Sequence, residues 1–430
     1  MNRLRFLRVS VFVTLRVLPC LRVLVTLGLA AAPASAQPRL DGYATLMLDQ
    51  LPSVEPFATE LRARIFGALA VRTSSLVELT VSGYADGLAA DRGSSVHDAI
   101  LKPQDALIAL TFDRANVEVG LGRVVWGRLD ELQPGDVVNP LDVSRFFFEG
   151  RGDARLPVGL VRARWFIREG AVLEGVYVPF FRRGRFDQLD EPTSPFNLRP
   201  AGVESREPAK TLENGQGGVR FSGTVRRLDY ALAAYRGFRP FGAIGAEPDG
   251  ARLRLVERFP RFTMVSGDFE SVRGPWAFRG EADVFGEDED PRPDAIGGSP
   301  GVSWDAGFAI DRKTGAYRLS GTVLVSRVRL KPETTNNGEN VSVASGFSRT
   351  TTNLVFGADR SFAQERYTTR VFGVVNVTDG SAFLRNITTM TLRDNLALEG
   401  SIGWFFDESA DAIGRFADRD FLYARLKMYF

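Results

Sequence analysis

After residue 36 the chain alternates apolar and polar residues in segments of about 10–12 residues, the period of strands whose two faces meet different surroundings. Val219, Phe221, Gly223 and Val225 alternate with Arg220, Ser222, Thr224 and Arg226. Trp276, Phe278, Gly280, Ala282 and Val284 alternate with Arg279, Glu281 and Asp283, and Tyr317, Leu319, Gly321, Val323 and Val325 with Arg318, Ser320 and Thr322. The same pattern holds for Val302, Trp304, Ala306, Phe308 and Ile310 and, earlier, for Val77, Leu79 and Val81. Helical stripes are hard to find.

Two architectures produce such alternation: a soluble antiparallel sandwich, and a transmembrane barrel with lipid outside and a wet lumen. Strand length separates them. Soluble strands usually run about five or six residues, whereas a tilted strand needs about 9–11 to cross a bilayer. Polar turns at 72–75, 113–116, 168–171, 226–229, 273–275, 312–315, 361–364 and 393–395 alternate with connections near 86–102, 126–156, 182–215, 239–258, 287–301, 331–346, 379–381 and 407–418, nearly all longer. Short turns at one end and long loops at the other are the asymmetry of an outer-membrane barrel. The expected fold is all-β, a transmembrane antiparallel barrel of about 18 strands. Sixteen is the alternative, because 40–49 and 382–392 are weakly patterned.

The last segment places Leu422, Ala424, Leu426, Met428 and Phe430 on one face. It resembles the terminal-strand signal by which bacterial outer-membrane barrels are recognised for assembly, which implies the barrel assembly machinery as a partner. Trp126, Trp165, Tyr177, Trp276, Trp304 and Trp404 fall near proposed strand ends, where interfacial aromatic girdles belong.

The chain has 430 residues, 44% hydrophobic and 25% charged, so it is too apolar to be disordered. The formal charge is +2, with basic clustering confined to the N-terminus, which argues against nucleic-acid binding. One Cys and one His exclude most zinc sites, disulfide frameworks and Cys/His or Ser/His catalytic units. We expect no enzyme chemistry, no metal and no cofactor.

Residues 1–36 read as a secretory signal. Arg3, Arg5, Arg8, Arg16 and Arg22 precede the largely apolar run 23–32, and Ala34-Ser-Ala36 forms the cleavage site. The run is too short to span a bilayer. Cys20 is a poor acylation site, since Pro19 stands where a small residue is wanted. Cleavage would remove five arginines and no acid, leaving residues 37–430 with a charge of about −3 and no cysteine.

The block Gly122–Gly127 (GRVVWG), followed by Val138–Asp142 (VNPLD) and Arg155-Leu156-Pro157, resembles a pattern in a family of poorly characterised bacterial outer-membrane barrels near the alginate-export and porin-like barrels. There a GR-x-x-x-WG strand end precedes an NP-x-D loop and a strand that begins near a proline. The resemblance implies an outer-membrane barrel and transfers no substrate. The run Arg145–Arg151 (RFFFEGR) departs from that pattern.

The loop 126–156 is too hydrophobic for a surface excursion, since Phe146, Phe147 and Phe148 in water would form an exposed patch. Folded inward, it would narrow the lumen and place Arg128, Asp130, Glu131, Asp136, Asp142, Arg145, Glu149, Arg151, Asp153 and Arg155 where opposed charges set selectivity. Alternatively, Asn139–Asp142 is simply a turn. Inward strand positions include Arg162, Arg220, Glu281 and Arg318, with both signs present. In a water-filled channel they need no strict pairing, whereas a sealed lumen would pair them.

Weaker motifs add little. Ser94, His97 and Asp98 lie close in sequence, but there is no G-x-S-x-G elbow, so a solvated loop histidine is expected. Glu287–Asp290 reads as a solvated acidic loop without EF-hand spacing, or else a weak cation site. Arg182, Arg183 and Arg185 read as a solvated run, or a lure for anions at the mouth. The expected function is an outer-membrane channel for passive or weakly selective passage of small solutes, lying in lipid and lipopolysaccharide. Its rivals are a specific transporter for a hydrophobic compound or polysaccharide, using a path past Phe146–Phe148, and a barrel enzyme or adhesin.

Overall fold

The computed structural model describes residues 37–249, 252–288, 300–330, 348–409 and 411–430. The proposed signal segment with Cys20, part of the connection at 287–301 and all of that at 331–346 lie outside the described residues.

In chain order the strands are β1 (Gln37–Leu51), β2 (Ala58–Arg72), β3 (Val77–Asp91), β4 (Ser95–Thr111), β5 (Ala115–Gly122), β6 (Val158–Arg168), β7 (Ala171–Val178), β8 (Glu204–Arg206), β9 (Gln216–Val225), β10 (Leu228–Phe238), β11 (Ala243–Asp249), β12 (Arg252–Arg258), β13 (Arg261–Arg273), β14 (Trp276–Glu287), β15 (Pro300–Thr314), β16 (Tyr317–Leu330), β17 (Ser348–Phe362), β18 (Tyr367–Asn376), β19 (Ala382–Arg393), β20 (Leu396–Phe406) and β21 (Phe421–Tyr429). Strands β8, β11 and β12 make a small separate sheet. The other 18 pair antiparallel in sequence order, and β21 returns to β1 with Tyr43 opposite Tyr429 and Gln50 opposite Leu422. The barrel sheet is closed, so among the described residues it leaves no edge strand of its own to template aggregation. At the seam Gly42 and Phe430 exchange backbone hydrogen bonds of 3.1 and 3.0 Å. A Cβ on Gly42 would strike the Phe430 ring at 2.3 Å, so this position needs glycine.

The eight short turns fall where the alternation places them, all at one end. The weakly patterned segments near 40–49 and 382–392 are strands too, which makes the count 18. The expected long connection at 86–102 is corrected: β3 and β4 run on in register to Asp91 and Ser95. Their turn is only Arg92–Ser94, because Leu88, Ala90, Val96 and Ile100 are covered by Leu189 of a later loop.

The polarity of the barrel is the reverse of a soluble fold. Outward Leu232 and Val265 are 62% and 60% exposed, while inward Asp268 and Glu281 are 5% and 4% exposed. Trp165, Tyr177, Trp304 and Trp404 are exposed as a girdle requires, but Trp126 is 1% exposed and lies inside, which corrects its assignment to the girdle. No helix of the described residues is long and apolar enough to cross a membrane.

The inward faces also change character along the strands. On β6 the inward positions run from buried Val158 and Leu160 at the long-loop end to Arg162 and Arg164. On β13 they run from Phe262 and Met264 to Asp268. Apolar side chains inside a barrel need a partner, and two inserted loops supply it.

Candidate functional site

The segment 123–157, between β5 and β6, crosses the barrel interior. Its groups touch β13 and β14 on one wall, β18 on another, and β19, β21 and β2 on a third. A single segment reaches such separated strands only through the lumen. It carries two short helices, α1 (Val143–Glu149) and α2 (Arg151–Ala154).

The conspicuous sequence block builds the two ends of this insertion. Asn139 accepts a hydrogen bond from the Val124 N–H at 2.7 Å and donates to the carbonyls of Gly122 and Leu156 at 3.2 and 2.8 Å, tying entry to exit. Asp142 caps α1, accepting from the Arg145 N–H at 3.2 Å and the Ser144 hydroxyl at 2.8 Å. Gly127 has φ +88°, and a Cβ there would meet Glu281 at 2.7 Å. Trp126 packs edge-on against Tyr235 and donates its indole N–H to Glu174 at 2.7 Å. The Asn139–Asp142 segment is therefore a turn and also the frame of the insertion. The block has two residues between GR and WG, one fewer than the pattern it resembles.

Most of the charges expected along the pore are anchors. Arg128 pairs with Asp268 and Glu270 of β13 at 2.7 and 3.0 Å. Arg279 of β14 grips Asp130 at 2.6 and 2.7 Å and also reaches Asp311. Glu131 meets Arg370 of β18 at 3.0 Å. Glu281 accepts the backbone N–H groups of Arg128 and Gly135 at 2.9 and 2.8 Å. Arg151 and Arg155 converge on Asp136 at 3.0 and 2.7 Å. Arg162 is held by Glu174 at 2.5 Å, and Arg220 by Asp268 at 2.8 Å. These side chains are paired rather than left to water, the arrangement expected of a lumen that is at least partly filled. They serve an inserted loop whose desolvated charges require partners.

The α1 helix is clamped at both ends. Glu149 is bound by Arg64 at 2.8 Å and by Arg145 at 2.7 Å, and the guanidinium groups of both arginines lie 4.9 Å from the centre of the Tyr84 ring. Burial alone would raise the Glu149 carboxyl, but Arg145 and Arg64 hold it well below the usual range. The Phe148 carbonyl accepts from Arg385 at 2.9 Å, Arg425 at 3.1 Å and the Tyr423 hydroxyl at 3.4 Å. Phe147 stacks on Phe196 and meets Phe383, Phe405 and Phe416 edge-on. It is 8% exposed and packs within this cluster instead of lining a passage.

The second inserted loop, between β7 and β9, was expected outside the barrel. The N–H groups of Val143 and Ser144 donate to the carbonyls of Arg185 and Phe186 at 2.7 and 3.1 Å, stitching the two loops together. Asp187 is bound by Arg62 at 2.8 Å. Arg182 donates to the Pro157 carbonyl, and Arg183 pairs with Glu191 at 2.8 Å, so the arginine run is bound into the loop. The insertion of this loop was not read from the sequence, although Phe181, Phe186 and Phe196 give it an aromatic content like that of 146–148. His97 lies on β4, not in a loop, with Ser95 Oγ at 3.1 Å, while Asp98 accepts from the Asp190 N–H instead. Glu287 pairs with Arg239 at 2.7 Å and Asp288 with Arg236 at 2.6 Å. The remaining acids of that run lie outside the described residues.

Two of the cavities in the barrel interior share lining residues. One, of about 650 Å³, is lined by Asp130, Glu131, Gly150 and α2 residues Arg151–Asp153 from the insertion, and by Arg318, Ser320, Asp359 and Arg370 from β16–β18. The second, of about 770 Å³, opens toward the short-turn end past Trp276 and Tyr317. Arg318 and Asp359 line both. No phenylalanine lines either one.

No family model and no curated protein matches the sequence. Among solved structures, the chain is similar to OccAB4 of Acinetobacter baumannii, at 10% identity over 92% of this chain and 97% of that one, with a TM-score of 0.49. It is also similar to OccD3 (OpdP) of Pseudomonas aeruginosa, at 9% identity over 91% and 90%, with a TM-score of 0.48. A loop-deleted form of OmpT, an outer membrane protein of Vibrio cholerae, matches at 8% identity over 92% and 100%, with a TM-score of 0.46.

Proposed function

We propose that this protein is an outer-membrane channel that passes small polar solutes passively and with weak selectivity, along an eccentric passage between the inserted segment and the β16–β18 wall. The observation that carries this is the pair of adjoining cavities sharing Arg318 and Asp359, inside a closed barrel whose outer surface is apolar. In this reading the inserted segment narrows the passage, with Asp130, Glu131 and Gly150–Asp153 on its side of the 650 Å³ cavity. A C-terminal strand ending in Phe430 and a leading signal at 1–36 fit export and insertion by the barrel assembly machinery, into a bilayer of lipid and lipopolysaccharide.

The filled lumen favours a second reading, a transporter for one class of solute. Phe146–Phe148 pack into or against the aromatic cluster, and the charged groups Arg318 and Asp359 shared by the two cavities suit a polar cargo. Single-channel recording of the folded barrel in a planar bilayer under a potassium chloride gradient tests the channel. Ohmic steps smaller than those of an open 18-stranded pore, with a reversal potential near zero, are expected. Silence in a folded sample overturns the proposal.

A further inference from the structure

The larger part of the charge around the passage is cancelled within the protein. In the 650 Å³ cavity, Asp130, Glu131, Glu149, Arg151 and Arg155 each hold a partner within 3.0 Å, and Asp359 and Arg370 face each other at 3.5 Å. Two lining groups stand apart. Arg318 is 58% exposed at its side chain, and its nearest carboxylate, Asp311 at 3.7 Å, is already engaged by Arg279. Asp153 is exposed on α2, and among the described residues no hydrogen bond or ion pair involves its carboxylate. Among the described residues, this cavity thus offers one available cation on β16 and one available anion on the inserted segment, and the hydroxyl-bearing Ser320 and Thr368 also line it.

We infer that this cavity is a binding site for small zwitterions, amino-acid-like solutes that carry both a carboxylate and an ammonium group. The inference rests on the channel proposed above and gives that channel a solute class. The carboxylate is received by Arg318, whose planar fork suits it, and the ammonium by Asp153. A simple anion meets Arg318 but also Asp153, and a simple cation meets the reverse, so each gains less than a molecule that satisfies both groups. The volume lies within the roughly 300–1,000 Å³ typical of small-molecule sites.

The test is current block in planar bilayers with γ-aminobutyrate, compared with butyrate and with butylamine. γ-Aminobutyrate is expected to reduce the potassium chloride current at concentrations at least tenfold lower than either single-charge analogue needs. Arg318→Gln and Asp153→Asn should each abolish that preference in barrels that keep the heat-modifiable mobility of the folded protein. Equal block by butyrate, or by butylamine, overturns the inference in favour of a single-charge site. Ohmic current without any block also overturns it and leaves the channel standing, whereas absence of current removes the channel itself.

Discussion

Arg64 on β2 reaches across the lumen to Glu149 at the end of α1, its Nη1 lying 2.8 and 2.9 Å from the two carboxylate oxygens. Arg64 also holds Asp86 of the neighbouring strand, so the wall and the insertion share one cation. Removing one member of such a pair strands the other charge in a poorly solvated place, at a cost of roughly 3–5 kcal/mol for a buried pair. Glu149→Gln is therefore expected to loosen α1 without opening the barrel. Single-channel records should show added flicker between conductance levels, and the double variant Arg64→Gln/Glu149→Gln should be quieter than either single one. A steady record from Glu149→Gln would show that the aromatic cluster alone holds α1.

Asp142 supplies a pH dependence of known sign. Burial, and then the nearby Asp187, push its carboxyl up to about 7. An unfolded aspartate titrates near 3.9. The inserted state thus prefers the neutral acid, and its stabilisation is complete below about pH 4 and is lost as the pH rises through about 7. Arg145, Arg182 and Arg185 lie nearby and Ser144 donates to it, but burial outweighs them. Glu149 runs the other way, its lowered carboxyl weakening the clamp only in acid. Of these two carboxyls, Asp142 is the one that titrates between pH 6 and 8.5. Hydrogen exchange over 141–150, corrected for intrinsic base catalysis, should be faster at pH 8.5 than at pH 6. Asp142→Asn keeps the cap and should flatten that difference; an unchanged difference would assign it elsewhere.

Deleting 140–154 removes both short helices together with their clamps. Asp136 and Arg155 stay, as does Asn139, which ties the ends of the insertion. The expected outcome is a several-fold rise in single-channel conductance with the heat-modifiable mobility of a folded barrel retained. Unchanged conductance in a folded variant would place the limiting constriction outside α1 and α2.

The strand pattern was legible because each outward side chain meets one environment and each inward one another, and a period of two survives whatever the loops do. The insertion of 126–156 was legible too, from three adjacent phenylalanines that water would not accommodate. The partners of its charges were not. Glu281, Arg220 and Arg162 look alike in sequence whether they face water or a loop carboxylate, and only the three-dimensional path of 123–157 distinguishes the two. The apolar inward residues Val158, Leu160, Phe262 and Met264 did carry that information, since a strand apolar on both faces at one end reports a covered lumen. Asp187 and Phe196 lay in a loop that resembled any long external one, so its descent onto α1 had no counterpart in the alternation.

The inverted polarity of the wall makes a depth-dependent prediction. Leu232 lies mid-strand on β10, 62% exposed, with Gly267 beside it on β13. In water, replacing an exposed leucine by arginine costs little. In a bilayer the same change at the midplane costs about 2–4 kcal/mol, and near an interface only about 0–1 kcal/mol. Val225 provides the interfacial control, 51% exposed at the end of β9 next to the turn. Leu232→Arg should lower the yield of barrel folded into phosphatidylcholine vesicles far more than Val225→Arg, and the difference should vanish for the unfolded protein in urea. Equal, small effects at the two depths would mean that the apolar face of this barrel is not in lipid, and the channel would lose its physical basis.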